Sequence, residues 1–318
     1  MIPMTSRVRV FCPATLSNLG PGFDILGLAL PEPGDAVEGE LSAEPGVEIV
    51  EISGDRGMLS RNSDENVAGV AAAHVLRRAA CETKQGVRLW LHKGIPIASG
   101  LGGSAASSVA GACVVNELLG RPFSRAELIE SALAGEKLAA VSAHGDNIVP
   151  CLFGGIALVR TLAPPDIVSL PVPAALHLAV VHPHCVVSTA AARALLAGRQ
   201  VPLDAAVANS ANLAAFVAAL YRDDVALLAR SVADRLVEPV RAPLIPGFAQ
   251  VKAAALAGGA LACSISGSGP TMFAVADSRA CARSAADAMR RAFTDAAGLE
   301  SDVFVGQVNA AGTVVRSQ

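Results

Sequence analysis

The sequence predicts a protein of two domains in which helices and strands are mixed, and three observations support this fold class. The chain has 318 residues, of which 52% are hydrophobic, so it can bury more core than a single domain usually holds. Strand-like and helix-like segments alternate through its first half. In the second half, a helix, strand, turn, strand, helix, strand order runs over residues 248–308. That order is typical of helices layered on a partly antiparallel sheet.

The first half begins with a predicted strand at residues 7–13. Here Val8 and Val10 alternate with arginines before a loop rich in Asn, Gly and Pro, as expected for a half-buried strand that leads into a turn. Apolar periodicity predicts the other elements of this half. They are strands at 35–41, 47–52 and 87–92 and a helix at 64–80 with an acidic first turn.

Helices dominate the centre of the chain. Ser124 and Glu127 form an S-x-x-E pattern, in which each side chain bonds the backbone N–H of the other residue, so a helix is expected to begin there. A proline-rich stretch at 162–173 predicts the division between two domains, residues 1–165 and 166–318. The remaining predicted elements are helices at 105–119, 125–138, 189–196, 203–221 and 225–236 and a strand at 176–182.

Charge and hydropathy argue against several classes of partner. The formal net charge of −3 gives no basic excess, so nucleic acid is not an expected partner. No run of about 18 apolar residues lacks a charge or a proline, so no membrane span is expected. Residues 1–9 lack the apolar core of an export signal, which predicts a cytoplasmic location.

Cysteine and histidine spacing gives no pattern of a metal centre. The seven cysteines lie singly, without a C-x-x-C pair, which indicates reduced thiols that behave as small hydrophobic residues. His182 and His184 flank a proline, but no third ligand is near them in the sequence. A zinc site is therefore not expected there.

The most informative segment is GIPIASGLGGSAASS, residues 94–108. Gly100, Gly102 and Gly103 separate an apolar strand from an alanine-rich helix. Glycines let backbone N–H groups approach an anion, and the helix N-terminus adds unpaired donors near Ser104. The segment is therefore either a phosphate-binding loop or a tight strand-to-helix turn. It matches neither the Walker A pattern nor the G-x-G-x-x-G order that a nicotinamide oxidoreductase would need.

Three segments resemble signature motifs of the GHMP kinases, a family that includes galactose, homoserine and mevalonate kinases. Without the resemblance, the segment at 13–24 would be interpreted as a surface turn and the segment at 266–274 as a hairpin turn. The three are PATLSNLGPGFD at 13–24, PIASGLGGSAA at 96–106 and SGSGPTMFA at 266–274.

Three further segments are similar to the homoserine kinase branch of that family. The segment at 143–155 carries the branch pattern H-x-D-N-x-x-P, which is specific to fewer kinases than the phosphate-loop motif. They are AHGDNIVPCLFGG at 143–155, VSTAAAR at 187–193 and EPVRAPLIPGF at 238–248.

The resemblance implies an α+β, two-domain GHMP kinase fold. Residues 1–165 would form an ATP-binding domain like domain 2 of ribosomal protein S5, and residues 166–318 a ferredoxin-like domain. It also implies ATP and Mg²⁺ as cofactors, and phosphorylation of the L-homoserine hydroxyl to O-phospho-L-homoserine in threonine biosynthesis. A cytoplasmic homodimer is the family expectation.

Two other functions are compatible with the same fold. One is a GHMP kinase for another small alcohol, such as mevalonate. Kinases of the mevalonate type have an Asp and Lys pair at the attacking hydroxyl. The other is a nucleotide-binding relative without catalysis, which the presence of Ser104 and Glu136 argues against.

For the nucleotide, the resemblance implies that Ser104 and Glu136 hold Mg²⁺ and contribute to catalysis, and a hydroxyl with a carboxylate suits that ion. Many family members have two consecutive serines where this chain has Gly103 and Ser104, so one hydroxyl is available here. Adenine is expected beside Asn66 in preference to Asn62. The residues expected to bind ATP in the loop are Pro96, Ile97, Ala98, Ser99, Gly100, Leu101, Gly102, Gly103, Ser104, Ala105 and Ala106.

For the substrate, the resemblance implies an acidic group for the ammonium and guanidinium groups for the carboxylate, as a zwitterion requires. Arg193 would contact either the transferring phosphate or the substrate carboxylate. Asn147 and Arg193 are predicted catalytic residues, and because an amide cannot take a proton, Asn147 would orient the hydroxyl. Asp146 is either a substrate contact or a turn former. The expected substrate-binding residues are Asn18, Asp24, His144, Asn147, Arg193 and Arg241.

Overall fold

The computed structural model describes residues 7–139 and 144–317. The first six residues, on which the prediction of a cytoplasmic location partly rests, lie outside this range. So does Ala143, the first residue of the segment at 143–155. Within the described part, two β-sheets of seven and four strands are each covered by helices, which confirms the predicted α+β class.

The helices and strands are numbered in chain order. The strands are β1 (Val8–Ser17), β2 (Leu26–Ser42), β3 (Gly46–Ser53), β4 (Gly86–His92), β5 (Ile156–Leu162), β6 (Pro165–Leu170), β7 (His177–Pro183), β8 (Ala262–Ile265), β9 (Met272–Ala276), β10 (Ser301–Gly306) and β11 (Val314–Ser317). The helices are α1 (Val67–Arg78), α2 (Gly103–Leu118), α3 (Arg125–Ala139), α4 (Gly145–Phe153), α5 (Thr189–Ala194), α6 (Leu203–Tyr221), α7 (Val225–Ser231), α8 (Glu238–Arg241), α9 (Phe248–Ala257) and α10 (Arg279–Ala297).

The seven-stranded sheet has the order β11-β1-β2-β4-β3, and β5 and β6 extend it beside the first part of β2. Val8 and Val10 of β1 point into the core, as their alternation with arginines predicts. Helix α2 lies in the same core, where Gly111 meets the backbone of α1. A Cβ at Gly111 would lie 2.3 Å from the Ala68 carbonyl oxygen, so the two helices pack backbone to backbone and hold the start of α2 in place.

The four-stranded sheet is antiparallel with the order β10-β7-β9-β8. Counted along the chain this is 4-1-3-2, with helical crossovers between the first and second strands and between the third and fourth, which is a ferredoxin-like arrangement. Helix α10 covers one face through Ala282, Ala285, Met289 and Phe293, at the spacing of an amphipathic helix. This confirms the fold that the family resemblance implies for the second domain.

Two predicted helices have different bounds in the structure. The helix predicted at 64–80 begins at Val67, because the Asn66 side chain caps it and residues 63–65 form a separate 3-10 turn. The helix predicted at 225–236 ends at Ser231. Downstream of it, the Asp234 carboxylate accepts backbone hydrogen bonds from Leu236, Val237 and Glu238, so this carboxylate fixes the turn that leads into α8.

The predicted division at residue 165 falls at the start of a strand that belongs to the first sheet. Residues 165–170 form β6, which pairs with β5, and β11 returns from the end of the chain to pair with β1. We therefore propose that the first domain comprises residues 7–170 together with 314–317. A proline-rich stretch resembles a linker in sequence, but its backbone pairs here at a sheet edge, where proline is tolerated.

Within the described residues, α6 is the one helix long and apolar enough to cross a membrane by length and composition, with a hydropathy of 1.4. In the structure it packs on the protein through Phe216 and Leu220. Asn209 in the same helix donates to the Pro21 carbonyl at 3.0 Å. Through these contacts α6 packs against the rest of the fold. The absence of a membrane span stays a prediction.

Candidate active site

A cavity of about 420 Å³ opens between the glycine loop, the β1–β2 loop, the start of α4 and two arginines from the second domain. Of the predicted site residues, Leu101 and Ala106 do not line it, because both are fully buried in the core. The predicted residues that line it are Asn18, Asp24, Asn66, Pro96, Ile97, Ala98, Ser99, Gly100, Gly102, Gly103, Ser104, Ala105, Glu136, His144, Asn147, Arg193 and Arg241.

The glycine loop delivers the N-terminus of α2 to this cavity. Gly100 and Gly102 have φ of 80° and 68°, a left-handed backbone that glycine adopts without steric cost. No side chain caps the N-terminus of α2, so its first N–H groups are available for an anion. The second glycine-rich segment braces the loop, since Ser266 Oγ donates to the Gly100 carbonyl at 2.7 Å.

Ser104 and Glu136 meet at the start of α2. The Ser104 hydroxyl donates a hydrogen bond to Glu136 Oε1, and both residues line the cavity. Burial raises the pKa of the Glu136 carboxyl, while the bond from Ser104 and the charge of Lys93 oppose the rise. The hydroxyl and carboxylate oxygens form a donor set of the kind that Mg²⁺ prefers, so the residues present fit that ion.

A buried ion pair lies beneath the glycine loop. Lys93 bonds to the Asp35 carboxylate, and its Nζ also donates to the Gly103 carbonyl at 3.0 Å and to Ser107 Oγ at 2.7 Å. Asp35 in turn accepts two backbone N–H groups from residues 94–95, both at 3.0 Å. The ammonium therefore stands beneath the glycine loop with its position fixed by three groups, the Asp35 carboxylate, the Gly103 carbonyl and the Ser107 hydroxyl.

Asp24 and Arg193 form a bidentate pair in the cavity wall, with N–O distances of 2.7 and 2.9 Å. His144 Nδ1 lies 3.4 Å from Asp24. Burial lowers the pKa of His144, although Asp24 favours the protonated form. The ring of Phe23 lies under both arginines, 4.9 Å from the Arg193 guanidinium and 5.1 Å from that of Arg241, and orients the two cations towards one space.

Arg241 and Asn18 converge on the Gly267 carbonyl, to which they donate at 2.8 and 3.0 Å. Arg241 is 3% exposed, and its Nε has no partner among the described residues. Burial lowers the pKa of Arg241, and the charge of Arg193 adds to that effect. A buried guanidinium with an unused donor and a second cation beside it is suited to a ligand anion.

The first turn of α4 carries Asp146 and Asn147 into the cavity wall. Asn147 Oδ1 accepts a hydrogen bond from the Thr15 hydroxyl at 2.7 Å. Asp146 is 3% exposed, and burial, reinforced by the negative charge of Asp24, raises its pKa to about 7. The start of α4 thus places one neutral amide and one carboxyl that is half protonated near neutrality.

The predicted adenine contact, Asn66, lines the cavity and also caps α1. Its Oδ1 accepts the Ala68 N–H at 3.0 Å, and its Nδ2 donates to the Ser60 carbonyl at 2.9 Å. The alternative, Asn62, caps the preceding 3-10 turn and is not part of the cavity wall. Adenine contact by Asn66 stays a prediction.

Comparison with known proteins agrees with this geometry. Residues 66–155 match the model of the GHMP kinases N terminal domain, and residues 216–295 match the GHMP kinases C terminal model. A homoserine kinase of Chlorobium phaeobacteroides is 41% identical over 317 residues, with 97% of this chain and 99% of that protein covered. The crystal structure of homoserine kinase from Cytophaga hutchinsonii superposes with a TM-score of 0.94 at 45% identity over 99% of both chains. The chain belongs to the homoserine kinase family.

Membership in the homoserine kinase family confirms the resemblance of the motif segments. A second curated relative, a homoserine kinase of Xanthomonas campestris, is 44% identical over 303 residues, covering 95% of this chain and 92% of that protein. The mevalonate kinase of L. major, solved with R-mevalonate, superposes with a TM-score of 0.72 at 16% identity over 95% of both chains. That likeness concerns the fold alone.

Sequence reasoning missed several polar residues that build the site. They are Lys93, Asp35 and Thr15, none of which a motif singles out as a site residue. A weak signal existed for Asp35, which is a charged residue at the start of a predicted strand, where an inward-facing carboxylate needs a buried partner. No local pattern marks Thr15, because its partner Asn147 lies 132 residues away.

Proposed function

We propose that this chain transfers the γ-phosphate of ATP to the side-chain hydroxyl of L-homoserine, giving O-phospho-L-homoserine and ADP. One observation carries the proposal. A single cavity is lined both by a glycine loop with an uncapped helix N-terminus and by the Asp24–Arg193 pair. A polyphosphate and a zwitterionic amino acid are thereby held within reach of each other.

The amino acid end provides both charges that the substrate needs. Asp24 offers a carboxylate to the ammonium group, and Arg193 and Arg241 offer guanidinium groups to the carboxylate. When the substrate binds, the internal Asp24–Arg193 pair is replaced by two ion pairs, one between Asp24 and the substrate ammonium and one between Arg193 and the substrate carboxylate. A neutral alcohol such as galactose gains neither pair, which favours homoserine over uncharged members of the family's substrate range.

The phosphate end is positive without a Walker lysine. The start of α2 supplies N–H donors, and Lys93 places its ammonium under the loop. Ser104 and Glu136 would hold Mg²⁺, which when bound would neutralise phosphate charge. A strong general base is not required, because phosphoryl transfer passes through a loose transition state that responds mainly to positioning and charge.

Asn147 orients the attacking hydroxyl in this proposal. Its amide can donate to or accept from the hydroxyl but cannot remove its proton. Arg193 lines the same cavity and offers its charge either to the substrate carboxylate or to the transferring phosphate. His144, whose pKa is lowered, is neutral near pH 7 and can hydrogen-bond without adding a charge.

We also propose the cellular context that the family suggests. The chain acts in threonine biosynthesis as a cytoplasmic homodimer, with neither nucleic acid nor a membrane as a partner. Sedimentation equilibrium over a tenfold concentration range tests the dimer, and a mass of one chain at every concentration would contradict it.

The proposed function is tested by coupled ADP release from ATP and Mg²⁺ with L-homoserine, L-serine, mevalonate or galactose. We expect turnover selective for L-homoserine, loss of turnover on removing Mg²⁺ with a chelator, and a large loss in Glu136→Gln. The surface change Glu130→Gln is the matched control on the same helix, since Glu130 is exposed. ATP binding without turnover of any of the four alcohols would contradict the proposal.

A further inference from the structure

Thr15 lies in β1, where it packs against the glycine loop behind the cavity wall. It is fully buried, its N–H donates to the Leu101 carbonyl at 3.0 Å, and the pairing of β1 with β2 changes register between Pro13 and Thr15. Irregular pairing of this kind re-aims a side chain and is frequent beside active sites. The hydroxyl of Thr15 is thereby directed at α4, where it donates to Asn147 Oδ1 at 2.7 Å.

Gly102 of the phosphate-binding loop packs against the same bond. A Cβ at Gly102 would lie 2.1 Å from Thr15 Oγ1 and 2.8 Å from Asn147 Oδ1. The three residues therefore meet at one point, where the loop that would hold ATP touches the amide that would orient the substrate. The glycine allows an approach that no other residue permits.

The bond has a consequence for the chemistry of Asn147. In an amide the Oδ1 acceptor and the Nδ2 donor lie in one plane and point in different directions. Thr15 is fully buried whereas Asn147 is partly exposed and lines the cavity. With Oδ1 turned to Thr15, the side of the amide left for the cavity is the Nδ2 donor.

We propose that Thr15 is a positioning residue for phosphoryl transfer, which holds the Asn147 amide so that Nδ2 donates to the reacting oxygen of the substrate. The proposal deepens the proposed function and rests on it. Thr15 touches neither substrate nor nucleotide here and acts through Asn147. Without the hydroxyl, the amide is free to rotate and presents its acceptor as readily as its donor, which lowers the fraction of bound substrate in the reactive arrangement.

The test is a double-mutant cycle on purified full-length chain, with Thr15→Val, Asn147→Ala, both together, and Thr15→Ser as the conservative variant. The valine keeps the shape and removes the hydroxyl. We expect Thr15→Val to lower kcat about 10- to 100-fold and to change the KM for ATP by less than about twofold, whereas Thr15→Ser keeps most of kcat. In the Asn147→Ala background, Thr15→Val should have less than about a twofold effect, because coupled residues are not additive.

Thr313→Val is the matched control. Thr313 is a buried threonine whose hydroxyl also bonds to α4, at the Cys151 carbonyl at 2.9 Å, but it is not part of the cavity wall. It should lower the midpoint of urea unfolding and leave kcat unchanged. This separates loss of a buried hydrogen bond from loss of the Asn147 orientation.

The outcomes separate the inference from the function it rests on. An equal loss of kcat from Thr15→Val with and without Asn147, or a wild-type kcat in Thr15→Val, overturns the role of Thr15 while homoserine turnover by the unmodified chain stands. A wild-type kcat in Asn147→Ala also overturns it. No turnover of homoserine by the unmodified chain overturns both.

Discussion

The carboxylate of Asp24 receives two hydrogen bonds from the guanidinium of Arg193, at 2.7 and 2.9 Å. Their side chains are 22% and 30% exposed, so the pair stands in the cavity wall with access to a ligand. In the absence of substrate each group satisfies the other. A zwitterion can replace both partners at once, whereas a molecule with one charge leaves one group unpaired.

Arg193→Ala should lower kcat/KM for L-homoserine by roughly 30-fold or more, since truncating one partner of such a charge pair costs about 2–5 kcal/mol. Arg193→Lys should recover little of it, because an ammonium cannot form the two parallel bonds of a guanidinium. Steady-state ADP release at saturating ATP measures both. The control is Arg160→Ala, which removes another Arg–Asp pair whose side chains are 63% and 41% exposed, and it should leave the kinetics unchanged. Equal kinetics for Arg193→Ala and the wild type would remove Arg193 from the site.

Gly102→Ala should abolish most activity and destabilise the protein, because the new Cβ would lie 2.1 Å from the Thr15 hydroxyl oxygen on a backbone with φ of 68°. Gly120→Ala is the matched control just beyond the other end of α2. It has a similar φ of 80° but nothing within 4 Å of its Cβ, so it should cost only about 1 kcal/mol of stability and keep kcat. Urea unfolding and ADP release are the measurements. Similar effects for the two variants would mean that backbone strain, and not the contact with Thr15, decides the role of Gly102.

Asp146 should make the stability of the protein depend on pH. Its pKa is raised from 3.8 in the unfolded chain to about 7 in the folded protein, so its ionisation opposes folding. The stability it contributes is present in full below pH 3.8 and is lost as the pH rises to 7. We expect Asp146→Asn to become more stable relative to the wild type by a few kcal/mol, in order of magnitude, between pH 5 and pH 8.

The measurement for Asp146 is the free energy of urea unfolding of both proteins across that pH range. Asp295→Asn, at an exposed position of α10, is the control and should show a difference that does not change with pH. A constant difference between Asp146→Asn and the wild type would show that the carboxyl does not titrate in the folded protein between pH 5 and pH 8, and would contradict the raised pKa.

Lys93→Met should destabilise the protein by about 3–5 kcal/mol, because it leaves the buried Asp35 carboxylate without its counter-charge. Adding Asp35→Asn should recover part of this loss, since the amide oxygen can still accept a backbone N–H from residues 94–95 without carrying a charge. ATP binding, measured by calorimetry, should stay weak in the double variant because the ammonium that donates to the Gly103 carbonyl of the loop is gone. Recovery of both stability and ATP affinity would assign the pair to folding alone.

Local patterns account for much of what could be predicted. The glycine loop, the capping box at Ser124 and the order of helices and strands all follow from residues within about one turn or one strand of each other. Bounds were less well predicted where a side chain intervened. Asn66 caps α1 later than its acidic residues suggested, and α7 ends at Ser231 although apolar periodicity predicted a helix to residue 236.

The sequence by itself determined the α+β class, the position of the glycine loop before α2, and the segments that carry the site. Only the tertiary structure decided the pairs that make the site work. Lys93 and Asp35 are 58 residues apart, Thr15 and Asn147 132 apart, and Asp24 and Arg193 169 apart. Periodicity reports the neighbours of a residue along the chain, whereas these pairs form because two sheets and the core helices bring distant segments together. The same reason explains β11, a four-residue strand whose partner β1 lies at the other end of the chain.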